Sequence, residues 1–161
     1  MSRFLRSVVA CLALVSLTTA DASVQSRPIL RPDFSGTWMR AAGSPAPIEG
    51  PLGSDALIAH DNDTISFRSG GRSTTCRLDG NETPSAMTTV SGERWAQVSQ
   101  ARWVTNALLI TTTTDAGATG RWEDLLILSL SGENALNVVT VSTAKSAKPA
   151  MITQLWVYER K

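Results

Sequence analysis

The residues best suited to metal or acid–base chemistry in this sequence surround a single histidine. His60 is followed by Asp61 and Asp63, and zinc accepts both imidazole and carboxylate ligands. One histidine with two carboxylates is an incomplete zinc set, whereas Asp-Asn-Asp is typical of a tight turn between strands. We therefore predict a structural turn at 61–63, no metal site and no cofactor.

Carboxylate pairs and nucleophiles give no stronger signal for an enzyme. Glu123 and Asp124 are adjacent, so on a strand their side chains point to opposite faces and cannot act together. The one that faces inward has Arg94 or Arg102 as a candidate partner. No serine occurs in a Gly-x-Ser-x-Gly sequence. The sequence thus predicts a protein that is not an enzyme and has no catalytic residues.

Tryptophan is the most suggestive residue type, with five in 161 residues. Its ring offers a flat apolar area with one hydrogen-bond donor, which suits small apolar or aromatic ligands, although such rings also serve as core packing. Trp38 lies in the first predicted strand. The four candidate ligand-binding residues are Trp95, Trp103, Trp122 and Trp156.

The N-terminus is typical of a secretory signal peptide, residues 1–22. Arg3 and Arg6 precede the apolar run 8–17, and small residues favour cleavage after Ala22. The run is too short to span a bilayer, which takes about 20 apolar residues. Cys11 resembles a lipoprotein position, but too little apolar sequence precedes it for that cleavage. We predict a periplasmic or secreted protein without an integral membrane segment.

Export would leave an almost neutral domain with one cysteine. Removing 22 of 161 residues leaves 139, and removing Arg3, Arg6 and Asp21 leaves 13 basic and 13 acidic side chains. This balance argues against a nucleic-acid partner and against a polybasic membrane patch. Cys76 alone cannot form an intramolecular disulfide. It is either a buried small hydrophobe or a reactive or intermolecularly paired thiol.

The elements that must position these residues are short strands. We predict a flexible lead-in at residues 23–33 and the folded domain at residues 34–161. Within the domain, residues 41–54 are rich in Ala, Gly and Pro, which predicts a loop long enough to form a lid. Turn residues recur at intervals of about 8–14, as expected for an antiparallel meander. The predicted strands are 34–39, 56–60, 64–68, 72–78, 88–90, 94–103, 107–114, 122–130, 135–142 and 152–160.

Turn chemistry and alternation refine this pattern. Asp79-Gly80-Asn81 predicts a hairpin between its flanking strands. The run Thr111–Thr114 is β-favouring and fits an exposed strand end. In the strand that begins near Trp122, Asp124 interrupts the apolar face that its alternate leucines form.

Such a meander predicts an all-β fold. Its exposed edges disappear if the sheet closes, so about 8–10 antiparallel up-and-down strands favour a barrel, with a β-sandwich as the alternative. A barrel of about eight strands can fill its interior with side chains or hold one small ligand.

The segment Asp33-Phe34-Ser35-Gly36-Thr37-Trp38 resembles the Gly-x-Trp entry of lipocalins and related calycin barrels, and more closely the start of bacterial exported lipocalin-like domains. The second lipocalin motif, Thr-Asp-Tyr, is absent, which favours a looser relative. Shorter similarities to the bacterial exported lipocalin-like domains occur at residues 77–82, 101–103, 107–111, 128–132 and 157–160.

The resemblance implies a lipocalin-like barrel with three structural residues. Gly36 would allow close backbone approach, Trp38 would plug the closed end, and Arg160 would pack across the Trp38 ring. It also implies binding of a small hydrophobic or amphipathic ligand. The alternative is a structural or protein-interaction module with a filled barrel, and an enzyme at the barrel mouth is a third possibility. A cavity inside the barrel would separate the first two.

Overall fold

The computed structural model describes residues 31–43, 51–69, 72–89, 91–145 and 151–161. The predicted signal peptide and residues 44–50 of the predicted lid lie outside them. No helix in the described ranges is long and apolar enough to cross a bilayer. The described elements are β1 (Gly36–Arg40), β2 (Asp55–His60), β3 (Thr64–Ser69), β4 (Arg72–Arg77), β5 (Thr83–Thr88), β6 (Arg94–Val104), β7 (Ala107–Asp115), a 3₁₀ turn (Gly117–Thr119), β8 (Arg121–Leu130), β9 (Ala135–Lys145) and β10 (Met151–Arg160).

The ten strands form one antiparallel sheet in the order β4-β3-β2-β1-β10-β9-β8-β7-β6-β5. The first and last strands pair with each other, which sets Trp38 opposite Arg160. The two edge strands, β4 and β5, approach each other without forming a ladder. The sheet therefore curls into a nearly closed barrel. The all-β, up-and-down prediction is confirmed, and the sandwich alternative is wrong.

The seam between β4 and β5 corrects two predictions. Residues 79–81 do turn, but the strands on either side do not pair, so they form no hairpin; a hydrogen bond from Arg77 N to Thr83 Oγ1 (3.1 Å) links them instead. The strand predicted at 88–90 begins at Thr83 and ends at Thr88. Pro84 obscures it in the sequence, yet proline is tolerated there because an edge strand needs fewer backbone donors.

Along the barrel axis, the inward-facing residues change from apolar to polar. Side chains alternate between the two faces of a strand, so residues two apart on one strand share a face. Residues in register on neighbouring strands share a face as well. One row on β7–β10 is almost completely buried and apolar: Leu108, Leu128, Val138 and Trp156. Four positions away on β6–β9 the row is Ser99, Thr112, Asp124 and Ser142. We call the two ends of the barrel the packed half and the polar half.

Aromatic side chains close the packed half. Phe34 and Trp103 are stacked, with ring centroids 5.7 Å apart and an interplanar angle of 9°. Trp38 is fully buried, and its Nε1 donates to Phe34 O at 2.9 Å. His60 contributes Nδ1, which accepts a hydrogen bond from Phe34 N at 3.4 Å. The cover extends into the predicted lead-in, since Arg31 Cζ lies 5.5 Å from the Trp103 centroid.

The opposite end carries the connections that follow every odd-numbered strand, including the β1–β2 loop. That loop is anchored inside the barrel, where Leu52 is 4% exposed. Tyr158 Oη donates to Gly53 O at 3.2 Å. Gly53 has φ 72°, and a Cβ there would lie 2.3 Å from Ser69 Oγ, so the turn favours glycine.

Candidate ligand-binding cavity

The polar half surrounds a cavity of about 360 Å³. This volume lies within the range of about 300–1,000 Å³ that is typical of small-molecule sites. Apolar side chains form its inner part, among them Phe67, Ile110, Leu126 and Trp156. Hydroxyl, amide and carboxylate groups form the rest. The barrel is therefore not filled by its described side chains, and the space they leave is amphipathic.

The polar wall is organised by hydrogen bonds between neighbouring strands. Ser99 Oγ and Thr112 Oγ1 lie 2.9 Å apart, and Gln97 Nε2 donates to Thr114 Oγ1 at 3.0 Å. These bonds hold the side chains against the barrel wall, but each hydroxyl keeps a further lone pair and each amide a further donor. The wall can therefore offer both donors and acceptors to a bound molecule.

Asp124 is the carboxylate of the predicted pair that faces the cavity. Ser142 Oγ donates to Asp124 Oδ1 at 2.6 Å, while Glu123 lies on the other face of β8. The candidate arginine partners were wrong: Arg94 and Arg102 occupy exposed, outward positions of β6. They alternate with the inward residues of that strand and so cannot reach the interior.

The tryptophans fall into three places. Trp156 lines the cavity, and its Nε1 is buried without a hydrogen-bond partner in the described structure. Trp95 and Trp122 contact each other edge to face, with centroids 5.0 Å apart. They belong to β6 and β8, so they meet across the inner face of β7, where Thr114 is fully buried. Trp103 lies at the closed end, away from the cavity.

The three residues implied by the family resemblance meet at the closed end. Arg160 Cζ lies 4.7 Å from the Trp38 ring centroid, within the distance of a cation–π contact. Gly36 has a φ of 135°, which residues with a side chain rarely adopt. A Cβ there would lie 3.8 Å from Arg160 Nε. Arg160 also donates to Asp33 O at 3.3 Å. This cluster seals the barrel and makes no contact with the cavity.

The histidine region has the geometry of a turn. Asp61 Oδ1 accepts hydrogen bonds from the backbone N–H groups of Asp63 (2.9 Å) and Thr64 (2.7 Å), and these bonds lower the pKa of the Asp61 carboxyl. His60 packs against both Phe34 and Trp103, which are stacked on each other. In the part of the chain that the structure describes, no group of three or more His, Cys, Asp or Glu residues is arranged to hold a metal ion.

Sequence reasoning missed most of the polar wall. The run Thr111–Thr114 was expected at an exposed strand end, but Thr112 lines the cavity and Thr114 is fully buried. The sequence of β9 carries the signal. Along one face its residues change from apolar to polar, in the order Leu136, Val138, Thr140 and Ser142. Because β7 and β9 both change from apolar to polar residues along the inner face, their sequences together predict a polar compartment.

Cys76 faces the cavity from β4 and is 1% exposed. Burial raises the pKa of its thiol, and a hydrogen bond with Ser99 lowers it by less. A raised pKa means that the fold disfavours the thiolate, so this contribution to stability is complete below the thiol's unfolded pKa and is lost as the pH rises through the folded one.

We expect Cys76 to react slowly with a bulky aromatic disulfide reagent. In a Cys11→Ser chain, which leaves Cys76 as the single thiol, labelling at pH 8 is expected to be on the order of 100-fold slower than in denaturant. The absorbance of the released thiolate measures the rate. Equal rates in the native and the denatured chain would show that Cys76 is accessible in solution.

Comparison with models of known protein families gave no match to this chain. A search of curated proteins gave no match either.

Proposed function

We propose that this domain binds a small amphipathic molecule inside the barrel, as a lipocalin-like, non-catalytic carrier or receptor. The observation that supports this most directly is the cavity of about 360 Å³ with an apolar inner part and a polar wall. A barrel that served only as a scaffold would gain stability by filling that space, because packing voids lose dispersion contacts. The predicted signal peptide supports action in the periplasm or outside the cell.

Apolar side chains at the cavity support the same proposal. Apolar contact with Leu126 and Ile110 would supply most of the affinity, because the free energy of burial scales with the apolar area removed from water.

Two neighbouring threonines on β7 allow a matched test. Thr112 points into the cavity, and Thr113 points outward, in register with Val98 and Glu123. We expect the neutral fluorescent probe N-phenyl-1-naphthylamine to bind the unmodified chain saturably, one probe per chain. Thr112→Phe fills the cavity and should weaken this binding by about tenfold or more, which corresponds to about 1.4 kcal/mol. Thr113→Phe should leave it unchanged.

Fluorescence titration measures the affinities, and circular dichroism checks that both variants fold. Failure of the unmodified chain to bind the probe, together with native mass spectra that never show a retained small molecule, would overturn the proposal. Equal loss of affinity in both threonine variants would place probe binding outside the barrel.

A further inference from the structure

The charge inside the cavity indicates what kind of amphipathic molecule it accepts. Asp124 is the one charged side chain among the described residues that line it. Its carboxylate is half-buried and, among the described residues, accepts a hydrogen bond from Ser142 Oγ at 2.6 Å. Carboxylates removed from bulk water are stable when a cation or several donors face them. In the described structure, hydroxyl and amide groups surround Asp124 and no cationic side chain lines the cavity.

We propose that the cavity selects ligands carrying a protonated amine, with the ammonium group bound at Asp124 and the apolar part toward Leu126 and Trp156. This deepens the proposed function and depends on it. An ammonium group supplies up to three donors, which can satisfy the carboxylate and neighbouring hydroxyl oxygens at once. A carboxylate ligand would instead meet Asp124 as a like charge, which is unfavourable in a partly desolvated site.

The surrounding row fits a cation better than an anion. Ser99, Thr112 and Ser142 lie in register with Asp124 across four neighbouring strands. The bond between Ser99 and Thr112 uses one of their two hydroxyl hydrogens, and Ser142 donates its own to Asp124, which leaves one hydroxyl hydrogen and several oxygen lone pairs. The row therefore presents acceptors chiefly, and acceptors complement an ammonium group.

An aromatic pair lies on the mouth side of this row. Trp122 precedes Asp124 by two residues on β8 and so shares its face, and Trp95 contacts the Trp122 ring edge to face at 5.0 Å. Aromatic faces attract ammonium groups through their quadrupole. Trp122 therefore lies on the inner face of β8 between Asp124 and the open end of the barrel.

The test compares three ligands of the same length that differ in the head group: octylamine in its protonated form, 1-octanol and octanoate. Each displaces N-phenyl-1-naphthylamine from the unmodified chain in a competition titration at pH 7. We expect octylammonium to bind about tenfold or more tightly than octanoate, with 1-octanol between them. The neutral probe reports whether the cavity binds ligands at all, independently of the head-group preference.

Two neutralising variants on neighbouring residues assign the preference to the cavity. Asp124→Asn keeps the shape of the side chain and should reduce the preference for octylammonium to within about threefold, while probe binding persists. Glu123→Gln removes the same charge from the outer face and should keep the full preference. If Asp124→Asn fails to bind the probe, Asp124→Ser is the second neutral variant, matching the hydroxyl groups of the row, and should also reduce the preference to within about threefold.

The outcomes separate the two proposals. If neither the probe nor any octyl ligand binds the unmodified chain, the proposed function fails. If the probe binds but octanoate binds as well as octylammonium, the cavity exists and the amine proposal is wrong. A preference that survives in Asp124→Asn, or that disappears in Glu123→Gln, would also contradict it, because the selecting charge would lie elsewhere.

Discussion

Trp38→Ala should destabilise the barrel more than any other single substitution at its closed end, by about 3–5 kcal/mol. The side chain is fully buried. β1, the first strand, has only five residues with which to pair with the last strand, β10. The substitution leaves a cavity beneath Arg160 and removes the donor that satisfies Phe34 O. A small domain has about 5–15 kcal/mol of total stability, so the variant should be marginally folded.

Urea denaturation followed by far-ultraviolet circular dichroism measures this effect. Arg160→Met is the matched control, because it keeps an apolar side chain near the ring and removes only the cation; we expect a loss of about 0.5–1 kcal/mol. A loss below about 1 kcal/mol for Trp38→Ala would contradict the assigned role, since burial of a large aromatic side chain contributes more than that.

The closed end and the strand order of the domain could be predicted largely from sequence. Turn residues spaced along the chain mark nine of the ten strands, and the Phe-Ser-Gly-Thr-Trp segment points to the plug at Trp38. These features are local, because turns and alternation depend on neighbours in the chain. The position of the seam was not predictable. Asp79–Asn81 is a good turn sequence, but pairing also depends on the curvature that the whole sheet adopts.

The cavity was harder to predict because it depends on residues from many strands. Asp124 was recognised as an interruption of an apolar face, yet its neighbours Thr112 and Ser142 are distant in sequence and share its level only through strand register. The prediction of Arg94 and Arg102 as partners of the inward carboxylate was wrong. The sequence of β6 shows that its side chains alternate between two faces, but it does not show which set faces inward. A single strand shows which residues share a face, and the register of the sheet shows which faces meet.

The difference between the packed half and the polar half leads to a second large effect. Leu128 and Leu126 are two residues apart on β8 and share a face, but Leu128 is fully buried in the apolar row, whereas Leu126 is partly buried and borders the cavity. We expect Leu128→Ala to cost about 3–5 kcal/mol, because it creates a new void in close-packed surroundings. Leu126→Ala should cost about 1–2 kcal/mol, since it enlarges a space that already exists.

The same pair connects stability with binding. In urea titrations the two variants should share one m-value, because the surface exposed on unfolding is nearly the same. Probe titration should then distinguish them in the other direction: Leu126→Ala alters the affinity for N-phenyl-1-naphthylamine, and Leu128→Ala leaves it unchanged while the protein stays folded. Equal costs for the two leucines would mean that β8 is packed uniformly along its length. The cavity, and the ligand-binding proposal that depends on it, would then be wrong.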